Sequence, residues 1–439
     1  MAVIEVALGL GLAIVGSLMV FGLNRVFASV LEVYRKFNVA TLKLRGLTVE
    51  TAADRRVVTG EAWAEYCDTL KAAGANLLGP GCPTDPFTQA EGYRYLSRLA
   101  RVTLENFVEC GSTDAPRLVA LANGWRDAPV HIGSDNPDNV YQSANISGRK
   151  EYRVRVKRGT VHFLSFGTQA GSYGGPGGLK TVSSKDASEF EQNEDGTFEI
   201  YVSNKQPEGV KNWMQTLPEP EEGMLLVRQT REDHDNEVLA EVEIECVGGT
   251  NAPSPLTSKA FEDGLKRSGL FVAGAPIMFT RWAKGFQKHA NELPLFDQKT
   301  SDKVGGDPTI RYYHSYWRLE HDEALVITAT PPDCVTWNFQ LNNYWMEALD
   351  FRYHQIHVNK SLANYRKDGS VRVVVTTHDP AAKLGLDPKD PALSYFWIET
   401  TGHTQGTMCW RWIRPVTDEG LPQPQTRVVK LADLKDALA

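Results

Sequence analysis

Two distant stretches of the chain carry the same turn-and-strand pattern. Residues 195–203 read DGTFEIYVS, and residues 368–376 read DGSVRVVVT. In each stretch an Asp-Gly turn is followed by apolar residues at every second position, which is the period of a half-buried strand. Because one pattern occurs twice, the chain is constrained to form two similar β units.

The similarity of the two stretches extends downstream. Each continues with a proline, a tryptophan, and a glycine that stands five residues before an arginine. These residues are Pro207, Trp213, Gly223 and Arg228 in the first copy and Pro380, Trp397, Gly406 and Arg411 in the second. The ordered set predicts a duplication at the scale of a domain. Residues 397–403 end in His403, whereas the matching residues 213–219 contain no histidine. We therefore expect any site in the second copy, with the first copy as scaffold.

The strand patterns occur in two runs that are separated from the helical patterns, without regular βαβ alternation. This arrangement is typical of an α+β protein with antiparallel sheets. We predict two related antiparallel β-sandwich or jelly-roll-like domains with an N-terminal membrane helix and a helical region. The predicted boundaries are an anchor helix and linker at 1–47, the helical region at 48–125, the first β domain at 126–250, a helical connector at 251–320, the second β domain at 321–415 and a C-terminal tail at 416–439.

Two amphipathic helices are predicted inside the helical region. The first covers residues 61–78, where the apolar spacing is helical and Gly79 follows. The second begins at residues 88–91 (TQAE), which have the pattern of a capping box, and continues to about residue 109.

The composition is that of a globular protein, with 42 % hydrophobic and 23 % charged residues. A formal charge of −7 and the lack of a Lys/Arg-rich run argue against a nucleic-acid partner. The six cysteines include no CxxC pair, so their spacing indicates no zinc site. The sequence is compatible both with disulfide bonds and with free thiols.

The N-terminus has the length and polarity of a membrane helix. Residues 2–23 are interrupted only by the charge of Glu5, and as a helix they would extend about 33 Å. Basic residues follow on the C-terminal side alone, which by the positive-inside rule places the body of a single-pass protein in the cytoplasm. The alternative is a hydrophobic helix buried in an oligomer.

Acidic and histidine-containing motifs lack the spacing of a metal site. Asp135 and Asp138 stand among residues that favour turns, and residues 233–235 (DHD) lie in a charged stretch expected to be a solvated loop. His354 and His357 would point to opposite faces of a strand, and no third ligand is marked by its spacing. The sequence therefore predicts no metal ion and no cofactor.

Aromatic and polar residues are concentrated in the second β region. Six of the ten tryptophans and six of the ten histidines lie between residues 314 and 412. Glu347 and Arg352 stand close to Trp345, and we expect these side chains to converge on one cavity; the alternative is a buried ion pair that closes the sandwich. The candidate ligand-binding residues are Trp337, Asn343, Trp345, Arg352, Trp397 and Arg411.

Two residues are candidates for acid/base catalysis. Gly402 favours a tight turn that would present His403 at the end of a strand, and an imidazole titrates near neutral pH. Glu347 would be the second catalytic group. The alternative for His403 is a capping residue bonded to the backbone, so the sequence leaves open whether the protein is an enzyme.

A set of residues in the second β region matches a known family pattern. The set comprises residues 345–352 (WMEALDFR), Asn359, Asp368-Gly369, Asp379-Pro380, residues 397–400 (WIET), Gly402-His403 and residues 406–412. In these residues the chain resembles the bacterial domain-of-unknown-function family DUF1214, most clearly over residues 320–415 and more loosely over residues 135–230. Glu399 stands where the family usually has an aspartate. The resemblance implies a β-rich, jelly-roll-like fold and no particular reaction.

Three functions follow as expectations. The first is a membrane-anchored tandem β-domain protein that binds a glycan-like or amphipathic small molecule or a partner subunit. The second is a hydrolase or lyase that uses Glu347 and His403, with Arg352 holding an anion. The third is a structural subunit of a membrane assembly. The expected partners are the membrane, a small ligand and further subunits, including a homo-oligomer.

Overall fold

The computed structural model describes residues 51–171, 179–219, 221–302 and 306–439, together with a few positions between 33 and 45. The predicted membrane helix at 2–23 lies outside these residues. Across the described part of the chain, no helix is long and apolar enough to cross a membrane. This finding contradicts the predicted single-pass membrane localisation.

The chain divides into two compact units, Met1–Thr69 with Pro255–Lys266, and Leu70–Ser254 with Arg267–Ala439. In the smaller unit a capping box of Thr51 and Asp54 begins the helix Ala52–Val58. In the same unit the Arg56 guanidinium forms ion pairs with three glutamates. These are Glu61, Glu65 and Glu262. The larger unit holds the four sheets described below.

The helices with described bounds are α1 Ala52–Val58, α2 Glu61–Asn76, α3 Pro86–Leu104, α4 Ser258–Phe286, α5 Gln298–Asp302, α6 Pro380–Leu384 and α7 Leu434–Leu438. Helix α3 begins where the Asp85 side chain accepts a hydrogen bond from the Thr88 backbone N–H, with a proline at the first helical position. It continues into a π-helical turn at Glu105–Glu109.

The strands are β1 Val119–Ala120, β2 Asn139–Ser147, β3 Tyr152–Lys157, β4 Phe163–Gly171, β5 Leu179–Asp186, β6 Thr197–Ser203, β7 Trp213–Gln215, β8 Glu222–Thr230, β9 Glu241–Cys246, β10 Ile310–Arg318, β11 Glu323–Ala329, β12 Cys334–Leu341, β13 His357–Asn359, β14 Val371–Thr376, β15 Phe396–Glu399, β16 Gln405–Pro415 and β17 Gln425–Lys430. Together with the helices they give the mixed α+β architecture that the sequence predicts.

Four sheets form two pairs, and apart from β1 the two pairs have the same order of strands. The first pair has the orders β1-β2-β8-β4-β5 and β7-β6-β3-β9, and the second pair has β10-β16-β12-β13 and β15-β14-β11-β17. Strand for strand, β10 to β17 repeat β2 to β9. Most neighbours are antiparallel, but β6 with β7 and β14 with β15 are parallel, at corresponding places.

Each Asp-Gly turn starts the corresponding strand by the same local chemistry. The Asp195 and Asp368 carboxylates each accept a hydrogen bond, at 3.0 Å, from the backbone N–H two residues further on. Gly196 and Gly369 have φ angles of 77° and 80°, in the left-handed region that favours glycine. Strands β6 and β14 follow directly.

The repeated tryptophans also make the same contact in both copies. Trp213 Nε1 donates to the Ser203 hydroxyl at the end of β6, at 3.0 Å. Trp397 Nε1 donates to the Thr376 hydroxyl at the end of β14, at 2.9 Å. The two indoles therefore fasten β7 and β15 to the strands that the Asp-Gly turns begin.

The repeated glycines permit a close approach between strands. A Cβ atom at Gly223 would lie 2.0 Å from the Gln169 carbonyl oxygen, and one at Gly406 would lie 2.2 Å from the Asn342 carbonyl oxygen. Both distances are shorter than a side chain allows. In each copy the glycine and the arginine five residues later lie on one strand, which is β8 in the first copy and β16 in the second.

Each sheet pair encloses its own apolar core. Phe166, Phe198 and Ile200 are fully or almost fully buried in the first. In the second, the indole rings of Trp337 and Trp410 stack with their centroids 5.0 Å apart. These cores hold in place the strands that carry the polar residues Tyr141, Arg228, Tyr312 and Arg411.

Candidate functional site

A cavity of about 140 Å³ is lined by residues from both sheet pairs. Strands β2, β4 and β8 contribute from the first pair and strands β10 and β16 from the second, and helix α4 adds two aromatic residues. The lining residues that matter chemically are Tyr141, Phe163, Arg228, Tyr312, His314 and Arg411.

The same cross-strand pair occurs twice in the cavity lining. Tyr141 of β2 is the register partner of Arg228 of β8, and Tyr312 of β10 is the register partner of Arg411 of β16. Burial raises the pKa of both tyrosines, so each phenol keeps its proton. The phenol oxygens accept hydrogen bonds from nearby backbone N–H groups, which leaves their O–H groups to donate.

Arg411 is a buried guanidinium with neutral partners. Its Nη1 donates to the side-chain oxygens of Asn338 and Gln340, at 3.1 and 2.6 Å. Its Nη2 donates to the carbonyl oxygen and the hydroxyl of Ser134, at 2.5 and 3.3 Å. Among the residues that the structure describes, no carboxylate forms an ion pair with Arg411. Its positive charge is therefore held in place but not neutralised.

His314 lies between two aromatic rings. The ring centroids of Tyr312 and Phe286 are 5.3 and 5.8 Å from that of the imidazole, with nearly parallel planes. Burial lowers the pKa of His314 to about 3, and the charge of Arg411 adds to the effect. The ring is therefore neutral near pH 7 and adds no charge to the cavity.

Two carboxylates also line the cavity, and both already have partners. Asp135 Oδ2 lies 2.8 Å from His131 Nδ1, and its Oδ1 accepts from the Ala348 backbone N–H at 3.2 Å. Asp307 Oδ1 accepts from the backbone N–H and the hydroxyl of Thr309, at 2.9 and 2.7 Å. The carboxylates of Asp135 and Asp307 thus form their hydrogen bonds with groups other than Arg411.

The two predicted catalytic residues lie against helix α3. Glu347 is fully buried, and its carboxylate accepts from Arg98 Nη1 at 2.7 Å and from Asn343 Nδ2 at 2.9 Å. His403 Nε2 lies 2.8 Å from a carboxylate oxygen of Glu91. Both acid/base candidates therefore have buried or half-buried partners on the helix, and neither lines the cavity.

Trp345 and Asn343 belong to the same contact with α3. The indole Nε1 of Trp345 donates to the Thr88 carbonyl oxygen at 2.7 Å. The ring lies so close to the helix that a Cβ at Gly92 would be 2.8 Å from it. Asn343 Oδ1 accepts from the backbone N–H groups of Trp345 and Glu347, which holds the loop after β12 in its shape.

The remaining predicted binding residues are separated from one another. Arg352 pairs with Asp350 at 2.8 Å, Trp337 stacks in the core, and Trp397 bonds to the end of β14. Of the eight predicted site residues, Arg411 lines the cavity and the other seven do not.

The sequence did not single out the cavity residues of the first copy. Arg228 was recognised as part of the repeat, but the first copy was expected to be scaffold. The cavity takes side chains from both copies, and the signal for this was the repeated glycine-to-arginine spacing itself. Tyr141, Tyr312 and His314 carry no local signal, because tyrosine and histidine are ordinary residues in strands.

A second cluster of polar side chains joins the loop before β2 to strand β13. Asp138 Oδ1 lies 3.3 Å from Nε2 of His234 and 3.3 Å from Nε2 of His357. Burial alone would raise the pKa of Asp138, but the interactions of its carboxylate with the two nearby imidazoles outweigh burial and hold the pKa well below its usual range. Asp138 is thus a carboxylate. These three residues could hold a metal ion, where the sequence predicted none.

Comparisons with known proteins give the family. The model of the family described as "Protein of unknown function (DUF1214)" matches residues 141–229. The chain also aligns with the crystal structure of an uncharacterized protein from Burkholderia cenocepacia at 43 % identity and a TM-score of 0.78, over 86 % of this chain and 99 % of that one. The chain belongs to the DUF1214 family. This confirms the family that the sequence suggested, but the matched DUF1214 stretch is the first copy.

A second solved structure, the VPA0106 protein from Vibrio parahaemolyticus, aligns at 11 % identity and a TM-score of 0.43, over 76 % of this chain and 97 % of that one. No curated protein matches the chain.

Proposed function

We propose that this DUF1214 protein binds a small amphipathic organic anion in the cavity between its two sheet pairs. The observation that carries the proposal is the buried charge of Arg411, which only neutral oxygens surround at hydrogen-bond distance. A buried cation without a counter-ion is costly, and an anion entering the cavity would offset that cost.

The other polar groups of the cavity support an anionic ligand. Arg228 brings a second guanidinium, whereas the carboxylates of Asp135 and Asp307 are held by other partners. The protonated phenols of Tyr141 and Tyr312 offer donors, and donors are the groups that a carboxylate or phosphate oxygen requires.

The apolar part of the lining supports an amphipathic ligand. Leu226, Phe163, Phe279 and Trp282 lie in the wall together with the charged groups. Ligand sites commonly combine apolar walls with a few placed polar groups and occur between domains. A carboxylic acid with a short apolar or aromatic body fits this combination better than a fully polar sugar.

We also infer that the two sheet pairs are related sandwich domains of jelly-roll-like form that arose by duplication. The matching strand orders, the paired Asp-Gly turns and the paired tryptophan contacts support this inference. The cavity then lies where the two copies meet, which explains why each contributes a Tyr/Arg pair.

Catalysis by Glu347 and His403 and a role as a structural subunit both stay predictions. The ion pair of Glu347 with Arg98 and the close contact of His403 with Glu91 give a structural explanation for these two residues.

The binding proposal predicts a preference for acids. A panel of small carboxylic acids and their neutral amides is screened by thermal shift, and hits are measured by calorimetry. We expect acids to bind and their amides to bind at least about 10-fold more weakly, because the amide loses a charge-assisted bond. Tyr312→Phe should weaken acid binding with little change of shape, while Arg155→Gln, at an exposed surface arginine, should not.

Two results would contradict the binding proposal. One is equal affinity for acids and amides, or a stronger response to neutral sugars. The other is unchanged acid affinity in both Tyr312→Phe and Arg228→Gln proteins that unfold at the wild-type temperature.

A further inference from the structure

We propose that Asp138, His234 and His357 form a binding site for one divalent transition-metal ion of the zinc class. The three residues come from separate parts of the chain: the turn before β2, the loop after β8 and the start of β13. One ligand atom from each residue lies within 4.8 Å of the other two.

The spacing of the ligand atoms fits a metal better than a hydrogen bond. Asp138 Oδ1 lies 3.3 Å from each of the two Nε2 atoms. Hydrogen bonds between nitrogen and oxygen are usually about 2.9 Å long. Around a tetrahedral ion with bonds of about 2.0–2.1 Å, neighbouring ligand atoms lie about 3.3–3.4 Å apart.

An unpartnered nitrogen is the second, independent observation. His357 is 8 % exposed. Its Nε2 is buried without a hydrogen-bond partner among the described residues, although it faces Asp138. Buried polar atoms in folded proteins nearly always have a partner. A metal ion between His357 and Asp138 would supply one, because neutral imidazole nitrogen is a favoured ligand of this class of ions.

The surroundings hold the carboxylate in a fixed orientation. Asn338 Nδ2 donates to Asp138 Oδ2 at 2.9 Å, and Asn359 Nδ2 donates to Asp138 Oδ1 at 3.0 Å. Hydrogen bonds of this kind to a ligating carboxylate are typical of metal sites. The ring of Trp125 packs against His234, with centroids 4.5 Å apart, and fixes the second imidazole.

Three protein ligands leave one position of a tetrahedral ion for water or another small ligand. His234 is the most exposed of the three side chains, at 16 %. Entry of an ion is therefore expected on the His234 side. Asn338 also accepts a hydrogen bond from Arg411, so a single amide links this site to the cavity.

The test is metal binding by the full chain. Protein freed of metal by a chelator is titrated with Zn²⁺ in a calorimeter and with Co²⁺ in a spectrophotometer. We expect one equivalent of each ion and, with Co²⁺, the visible absorption of a four-coordinate site. Binding should weaken at least about 10-fold in Asp138→Asn and in His234→Asn. The matched control His354→Ala removes a nearby, more exposed histidine and should bind like the wild type.

Several outcomes would overturn the metal-site proposal. The first is that the folded, metal-free wild type binds no metal ion. The second is that His234→Asn binds the ion with the wild-type affinity. The third is that His354→Ala loses as much metal affinity as His234→Asn does. His234 lies at the partly exposed edge of the cluster, so that variant is expected to fold even if Asp138→Asn does not.

Discussion

At the scale of single residues, burial decides the chemistry more than residue type does. His314 and His403 are both buried histidines, yet their surroundings differ. His314 is enclosed by aromatic rings next to a guanidinium, which keeps it neutral. His403 faces the carboxylate of Glu91. The sequence marked His403 by its glycine turn and gave no such mark for His314, because nothing local distinguishes a strand histidine that neighbouring elements will enclose.

The low pKa of His314 predicts a pH dependence of stability. The unfolded chain binds a proton below about pH 6.5, whereas the folded chain does so only near pH 3. Stability is therefore lost as pH falls between these values, by up to about 1.4 kcal/mol per pH unit. The free energy of unfolding in urea should fall less steeply from pH 6.5 to pH 4 in His314→Phe than in the wild type.

The control for the pH prediction is His289→Phe, which removes a half-exposed histidine. In that variant His314 stays in place, so the loss of stability that His314 causes between pH 6.5 and pH 4 should remain. If the pH profile of His314→Phe paralleled that of the wild type, the His314 imidazole would have the same pKa in the folded and the unfolded chain, which would contradict the prediction.

At the scale of elements, helix α3 packs against two loops, one after β12 and one after β15. The Thr88 carbonyl oxygen accepts a hydrogen bond from the Trp345 indole, and Arg98 donates to the Glu347 carboxylate. The Glu91 carboxylate faces the imidazole of His403. The helix was predicted from residues 88–91, but it begins earlier because Asp85 caps it ahead of Pro86. Its residues could be assigned to a helix from local spacing. What its polar face contacts depended on two loops that lie about 250 and about 310 residues further along the chain.

The buried Arg98–Glu347 ion pair predicts a large loss of stability on its disruption. Glu347→Ala should lower the free energy of unfolding by about 3 kcal/mol, because it leaves the arginine charge without its partner in a half-buried place. Urea unfolding measures the change. Glu241→Ala, which removes an exposed partner of Lys157, is the control and should have a much smaller effect. Equal losses in both variants would be evidence against a structural role for Glu347.

At the scale of the whole molecule, the two copies share side-chain hydrogen bonds through Asn338. Its Nδ2 donates to Asn136 and Asp138, and its Oδ1 accepts from Arg411. The equivalent position in the first copy is Ser165, which pairs with Arg228 in register as Asn338 pairs with Arg411. The copies have thus diverged, and only the second carries the amide at this position.

This divergence predicts unequal effects of two matched substitutions. Asn338→Ala should lower the free energy of unfolding by about 2–4 kcal/mol, since it leaves several buried partners unsatisfied. Ser165→Ala should have almost no effect, because the Ser165 hydroxyl has no hydrogen-bond partner among the described residues. Chemical unfolding of both variants provides the measurement. If Ser165→Ala lowered the free energy of unfolding as much as Asn338→Ala does, the predicted difference between the two copies would be contradicted.

The sequence by itself determined the α+β class, the DUF1214 family and the turns that begin β6 and β14. These features depend on backbone dihedral preferences and on a period of two, which act between neighbours in the chain. Only the tertiary structure decided that Arg228 and Arg411 meet in one cavity, that Glu347 contacts α3, and that Asp138, His234 and His357 come together. Such contacts depend on which strands pair and in which register, and no spacing along the chain contains that information.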